Sequence, residues 1–166
     1  MKYAIVYSSR TGNTRLLAET IRDTLAPEDC IYFGPPSDDA LSAPLRYVGF
    51  WTDRGTCDGD TAAFLKALTG QKIFLFGTAG FGVSQDYFDK ILNRTEENLP
   101  ETVQVFGSFL CQGKMAMSVR QRYEALQQSP TPRPNIWMLI ENFDKALSHP
   151  DQDDLQKLRE TVRTCQ

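Results

Sequence analysis

The sequence predicts a three-layer α/β domain: a doubly wound, five-stranded parallel sheet with helices on both faces. Two observations predict it. Short apolar runs alternate with longer amphipathic ones along the chain, and Ile73-Phe74-Leu75-Phe76 is apolar at every position rather than every second one. Strands covered on both faces carry that unbroken pattern, as in a parallel sheet flanked by helices. Strict β-α alternation then implies right-handed crossovers.

In order, strands are expected at 3–7, 30–33, 47–50, 72–76 and 103–110. Helices are expected between them at 13–25, 61–68, 84–93 and 113–128, with two more at 135–147 and 151–163. The first helix carries Leu16, Leu17, Ile21 and Leu25 at a spacing that makes one buried stripe. Ala26-Pro27 stops it, Thr69-Gly70 stops the second, and Ser148-His149-Pro150 separates the last two. Asp151 suits an N-cap, and His149 reads as a structural residue at a helix end. Ser129-Pro130-Thr131-Pro132-Arg133-Pro134 reads as a stiff loop between helices.

With 166 residues the chain supports one hydrophobic core, so a single domain spanning 1–166 is expected. Its 41% hydrophobic and 23% charged content is that of an ordinary globular protein. The net charge of -3 argues against nucleic acid or an anionic membrane, both of which need a dense basic surface. It suits docking onto a basic patch of a protein partner. No secretory signal precedes the first strand, and no apolar run approaches the roughly 20 residues of a membrane span. Cys30, Cys57, Cys111 and Cys165 are scattered, and the chain has one histidine. Neither a metal site nor a disulfide scaffold is expected, and a reducing cytoplasm is the natural setting.

The most informative stretch is Ser8-Ser9-Arg10-Thr11-Gly12-Asn13-Thr14, between the first strand and the first helix. Unpaired backbone N–H groups, the positive end of a helix dipole and four hydroxyls meet there. Gly12 permits a tight turn that brings backbone close to an anion. The spelling excludes rivals: there is no lysine for a Walker loop, no second and third glycine for a dinucleotide fingerprint, and no cysteine for a phosphatase loop. A hydroxyl-rich cradle for a terminal monophosphate remains, beside the plainer reading of a capped hydrophilic turn.

Ser-x-Arg-Thr-Gly-Asn-Thr resembles the phosphate loop of flavodoxins, in which it wraps the phosphate of FMN. The resemblance extends over the whole chain and is to the short-chain form, which implies a flavodoxin-like sheet of order 2-1-3-4-5. More narrowly, residues 49–58 and Cys111-Gln112-Gly113-Lys114-Met115 resemble a subfamily of flavodoxin-like proteins of anaerobic gut bacteria. Some of its members sit beside a bilirubin-reducing enzyme.

In a doubly wound sheet, ligands bind beyond the carboxyl ends of the strands where the strand order reverses, a rule for which flavodoxin is itself a standing example. The loops after strands one, three and four should therefore converge. After strand three comes Trp51-Thr52-Asp53-Arg54-Gly55-Thr56-Cys57. A tryptophan on a polar loop wants cover, which a flat isoalloxazine ring supplies; packing into the core is the alternative. The resemblance adds a second role, since family members turn a peptide beside a glycine toward flavin N5, and Gly55 is the nearest glycine. After strand four comes Gly77-Thr78-Ala79-Gly80-Phe81-Gly82-Val83-Ser84, where three glycines in six residues let backbone approach a planar ligand. By resemblance this loop hydrogen-bonds the pyrimidine edge of the flavin. Phe81 stands where the family often has a tyrosine, which leaves the outer flavin face open.

The expected cofactor is therefore FMN, held by Ser8–Thr14, by Trp51, Thr52, Asp53, Gly55, Thr56 and Cys57, and by Thr78, Ala79, Gly80, Phe81 and Gly82. The expected function is electron transfer to a partner redox enzyme by a monomeric carrier that needs no catalytic acid, base or nucleophile. Two other readings stay open: an FMN-dependent NAD(P)H quinone or tetrapyrrole reductase, and a flavin-free binding module on the same fold. Asp53, Asp58, Asp60, Asp86 and Asp89 are expected at the rim, where they would penalise negative charge on reduced flavin. Cys57 and Cys111 follow strands of one sheet; small buried thiols are the expected reading, with a redox pair between them as the alternative.

Overall fold

A computed structural model describes residues 1–82 and 84–166; Val83, expected in the loop after the fourth strand, lies outside the described residues. The elements are β1 (Tyr3–Tyr7), α1 (Asn13–Thr24), β2 (Cys30–Gly34), β3 (Leu45–Asp53), β4 (Thr56–Cys57), α2 (Gly59–Lys66), β5 (Lys72–Ala79), α3 (Gln85–Glu96), β6 (Gln104–Gln112), α4 (Met117–Gln127), α5 (Ile136–Ala146) and α6 (Gln152–Thr164). The sheet runs β2-β1-β3-β5-β6 with every pairing parallel, and the short β4 pairs antiparallel with β3. This is the expected 2-1-3-4-5 order, with β5 and β6 as its fourth and fifth strands.

Two buried clusters lie on opposite faces of the sheet. Val48, Phe50, Ile73 and Leu75 point into one, with Phe64 and Leu65 of α2 and Ile91 and Leu92 of α3. Their strand neighbours Tyr47, Phe74 and Phe76 point into the other, with Leu17 and Ile21 of α1 and Leu155 and Leu158 of α6. Successive strand residues face opposite ways, so a strand apolar at every position feeds both layers. Each such side chain contributes about 1.5–3 kcal/mol on full burial. Leu16 departs from the expected stripe and is exposed, while Ala18 takes a place inside.

Two strand glycines fill a packing role: Gly49, inside the expected third strand, and Gly77, expected in the loop after the fourth. Gly49 pairs with Phe76 and Phe50 with Gly77 across β3 and β5. A Cβ on Gly49 would stand 2.4 Å from the Phe76 ring, and one on Gly77 would stand 2.9 Å from the Phe50 ring. Each glycine is the hole for the other strand's phenylalanine. Gly77, Thr78 and Ala79 therefore belong to β5 and not to a loop. β3 likewise runs on through Trp51 to Asp53, because Arg54 (φ 53) and Gly55 (φ 84) form a two-residue turn into β4. Two consecutive positive φ values are what a tight hairpin of this kind requires.

The chain between β6 and α6 forms a helical hairpin. Arg120 of α4 pairs with Asp144 of α5 at 3.1 Å, and the proline-rich stretch 129–134 connects the two helices. His149 lies at the entry to α6, its Nδ1 2.6 Å from an Asp154 carboxylate oxygen, in the structural role expected. Asp151 caps α6 with the reciprocal backbone bonds of a capping box. No helix among the described residues is long and apolar enough to cross a membrane.

Candidate functional site

The loop between β1 and α1 is an array of backbone donors. Gly12 is left-handed (φ 87) and serves as the N-cap of α1 without a side-chain cap. The first helical bond runs from the Leu16 amide to the Gly12 carbonyl at 3.0 Å, and the Arg15 amide donates to Ser9 Oγ at 3.3 Å. The amides of residues 9–14 have no partner among the described residues. A Cβ placed on Gly12 would meet nothing within 4 Å, so open space stands over the turn. Free amides at a positive helix end, facing open space, suit an anion.

The side chains of this loop divide into two groups. Ser8, Ser9 and Gly12 line a cavity of ≈ 460 Å³ together with Arg15 and Asp60. Arg10, Thr11 and Asn13 line a neighbouring cavity of ≈ 350 Å³. Thr14 Oγ1 donates to the Phe50 carbonyl at 3.1 Å in a buried contact that ties the helix to β3. Asn13 Nδ2 donates to the Lys114 carbonyl at 2.8 Å, and Thr11 Oγ1 donates to the same carbonyl at 3.4 Å. The hydrogens of Thr11 and Thr14 are thus already engaged, while those of Ser8 and Ser9 have no acceptor among the described residues.

Trp51, Thr52 and Asp53 form one side of the smaller cavity. Trp51 is half-buried at the end of β3, and the Arg10 guanidinium stands 5.2 Å from its ring centroid. Thr52 Oγ1 donates to the Thr78 carbonyl at 2.8 Å, which fixes the strand end against β5. The return half of the hairpin faces elsewhere. A Cβ on Gly55 would meet the Arg94 guanidinium of α3 at 2.6 Å, and the Cys57 amide donates to Thr95 Oγ1 at 3.2 Å. Gly55, Thr56 and Cys57 lie outside the lining of this cavity.

The acidic rim is a correction. Asp53 is the sole one of the five acids that lines the cavity. Asp58 is buried and caps α2, accepting from the Thr61 amide at 3.2 Å and its hydroxyl at 2.9 Å. Asp60 lines the other cavity, and Asp86 and Asp89 sit on α3. Cys57 and Cys111 are buried thiols, as expected, and the alternative of a redox pair falls: Cys57 belongs to the cluster on one face of the sheet and Cys111 to the cluster on the other. Burial pushes both thiols up.

The opposite side of the cavity comes from a segment to which the sequence reading gave no role. Residues 113–116 are not the first turn of a helix, as the helix expected at 113–128 would have them; α4 begins at Met117. The Gly113 amide donates to the Ala79 carbonyl at 2.9 Å, and the Lys114 amide donates to the His149 carbonyl at 3.0 Å. A Cβ on Gly113 would stand 2.4 Å from Asn13 Nδ2, and one on Gly80 would stand 2.7 Å from Met115 Sδ. Gln112 Nε2 donates to the Gly80 carbonyl and to Asn142 Oδ1, and Asn142 Nδ2 donates to the Gly80 carbonyl, each at 3.1 Å. The segment thereby joins the first loop, the end of β5 and α5. Lys114, Met115, Val119 and Arg122 complete the wall opposite Trp51. The local signal that could have found it is Gly113 beside Lys114-Met115, already quoted for a narrower resemblance.

At the end of β5, Thr78, Ala79 and Gly80 line the cavity, whereas Phe81 and Gly82 do not. The carbonyls of 78–80 are all taken by protein donors. The amides of Gly80, Phe81 and Gly82 have no partner among the described residues, so this edge offers donors rather than acceptors.

A slot with an aromatic side, a backbone-donor edge and an amide-rich anion cradle fits a planar ring that carries a phosphate tail. The flavodoxin domain family matches residues 4–163 of the chain. A flavodoxin-like domain-containing protein BilS of Clostridium symbiosum is 41% identical, over 93% of this chain and 90% of that protein. A protein of the same description from Clostridioides difficile is 30% identical, again over 93% and 90%. Among solved structures, oxidised flavodoxin 2 from Bacillus cereus superposes with a TM-score of 0.62 at 17% identity, over 99% of this chain and 97% of that one. Fold, cradle and kinship agree, and the chain belongs to the flavodoxin family, whose cofactor is FMN.

Proposed function

We propose that the protein carries electrons on FMN to a partner redox enzyme. The observation that carries this reading is the meeting, at one sheet edge, of the unpartnered amides of 9–14 and the slot between Trp51 and the 113–122 wall. The amides of the first loop and the hydroxyls of Ser8 and Ser9 would hold the terminal phosphate. Thr11, Asn13 and Thr14 support them from behind by fixing the loop to Lys114 and Phe50. Trp51 would lie against the ring, and the amide of Gly80 would donate to its polar edge. Arg54-Gly55 and the rest of the hairpin keep Trp51 and Asp53 in place from the far side.

FMN, when bound, supplies the electron-transfer chemistry, and the protein supplies orientation and field. The lining contains no histidine, cysteine or tyrosine, and Asp53 is its one carboxylate, so no acid-base or nucleophilic pair competes with that role. The four cysteines are free, which suits the reducing cytoplasm in which we place the protein. The narrower resemblance at 49–58 and 111–115 makes a bilirubin-reducing enzyme the first partner to test.

Titration of the purified protein with FMN and with riboflavin, followed by flavin fluorescence, tests the reading. The cradle should make FMN bind about 100-fold tighter than riboflavin, since several charge-assisted hydrogen bonds go to the phosphate. Equal affinities would overturn the assignment of the loop, and failure of both to bind would favour a flavin-free module.

A further inference from the structure

Three cations line the slot: Arg10 from the first loop, Lys114 from the extended wall and Arg122 from α4. All three are exposed at its mouth. None has a carboxylate within ion-pair distance among the described residues. Neighbouring arginines do: Arg15 pairs with Glu19, and Arg120 pairs with Glu124 and Asp144. Asp53 is the only acid in the lining among the described residues, so three positive charges face one negative charge in a chain whose net charge is -3. The sign of the slot is opposite to that of the molecule.

We propose that this cationic lining stabilises the flavin in its two-electron reduced, anionic state, so that its two-electron potential lies higher than an acid-lined site would set. The inference rests on the reading that FMN occupies this slot. Oxidised FMN takes two electrons from an external reductant and one proton at N5. N1 stays unprotonated, and the ring gains one negative charge. A unit charge about 8–10 Å from that ring, at an effective dielectric of about 40, favours the charged form by about fivefold. Lys114 meets the phosphate cradle through its backbone carbonyl, which a side-chain substitution leaves in place. The charges of Lys114 and Arg122 are exposed, so the effect should weaken as salt shortens the screening length to about 8 Å and below.

Potentiometric titration of the FMN-loaded protein at low ionic strength tests this, with the affinity for oxidised FMN measured alongside. In K114Q and R122Q the ratio of affinities for reduced and oxidised flavin should fall about fivefold each. In the double variant it should fall about 25-fold, which for a two-electron couple lowers the potential by ~40 mV. The charge-conserving pair K114R/R122K should keep the wild-type potential. A neutral double variant that binds FMN and titrates like wild type would overturn the inference and leave the FMN reading intact. So would a conservative pair that shifts as far as the neutral one, because packing and not charge would then set the potential. A wild-type protein that takes up no FMN would remove both.

Discussion

The two sides of the flavin slot are built by different means. The first loop, residues 8–14, owes its shape to neighbours in sequence: a strand end, a left-handed glycine and the free amides of a helix start. The opposite wall, residues 112–122, owes its shape to distant ones. Gly113 meets Asn13, Gly80 meets Met115, and Asn142 reaches back to the Gly80 carbonyl. Glycine matters on both sides for unlike reasons. Gly12 is needed for its φ of 87 and has empty space above it, whereas Gly113 is needed because a neighbour stands where its Cβ would be. The local side forms from the chain's own preferences, and the distant side exists only once the sheet has assembled.

Gly113→Ala should produce the largest effect on this comparison. The added carbon would sit 2.4 Å from Asn13 Nδ2, and Asn13 is buried, so it must give up its bond to the Lys114 carbonyl. Overpacking of about 1–3 kcal/mol and a lost buried hydrogen bond of about 1 kcal/mol together predict a loss of about 3 kcal/mol. Urea unfolding measures it. A loss under about 1 kcal/mol would mean that the wall yields freely and does not clamp the first loop.

Gly12→Ala should cost less stability and more affinity. A Cβ there clashes with nothing, so only the left-handed backbone is penalised, by about 1–2 kcal/mol. Relief of that strain reorients the amides of 9–14, and FMN affinity should fall by more than about tenfold while riboflavin affinity barely changes. A variant that weakens both ligands equally would show that the loop shapes the whole slot rather than the phosphate end.

This contrast also explains what could be read in advance. Runs such as Ile73–Phe76 announce a sheet covered on both sides, because their alternate members feed Phe74 and Phe76 to one face and Ile73 and Leu75 to the other. Ser8–Thr14 announces an anion cradle because its parts are contiguous. Gly77 misled, since a glycine after an apolar strand reads as a turn until Phe50 is known to lie beside it. Trp51 reads as a loop residue because Thr52-Asp53-Arg54 are polar, and only the left-handed pair Arg54-Gly55 shows that β3 runs past it to Asp53. The wall was the least legible part. Lys114-Met115-Ala116-Met117 has strong helix propensity, and only tertiary bonds to Ala79 and His149 hold its first part extended.

Asn142→Ala should sharpen the view of the wall. Asn142 shares the Gly80 carbonyl with Gln112 and also accepts from that side chain, so its loss removes two hydrogen bonds of 3.1 Å. Both are part-buried, and about 1–1.5 kcal/mol of stability should go with them. The cradle is untouched, so FMN should dissociate faster with its phosphate preference intact. An unchanged dissociation rate would show that α5 does not brace the slot.

The smallest effect concerns the core behind the two regions. Burial raises the Cys57 and Cys111 thiols above their ordinary range, and it pushes the Tyr47 hydroxyl up to about 12. The folded state therefore keeps protons that the unfolded chain releases as pH climbs past about 9. The stability linked to these groups is complete well below that pH and is lost as pH approaches and passes it. As pH rises through the ordinary thiol range, the two thiols together should reduce stability. Tyr47 adds to the slope only above about pH 10, where an unfolded tyrosine ionises. Urea midpoints across this range should fall for the wild type and flatten in a Cys57→Ala/Cys111→Ala double variant, whatever its overall stability. The same burial predicts that Cys30 and Cys165, which are only half-buried, react with a thiol reagent before the other two. Early labelling of Cys111 would mean that the sheet opens at β6, the edge strand from which the wall departs, and that the distant side of the slot is the one that loosens first.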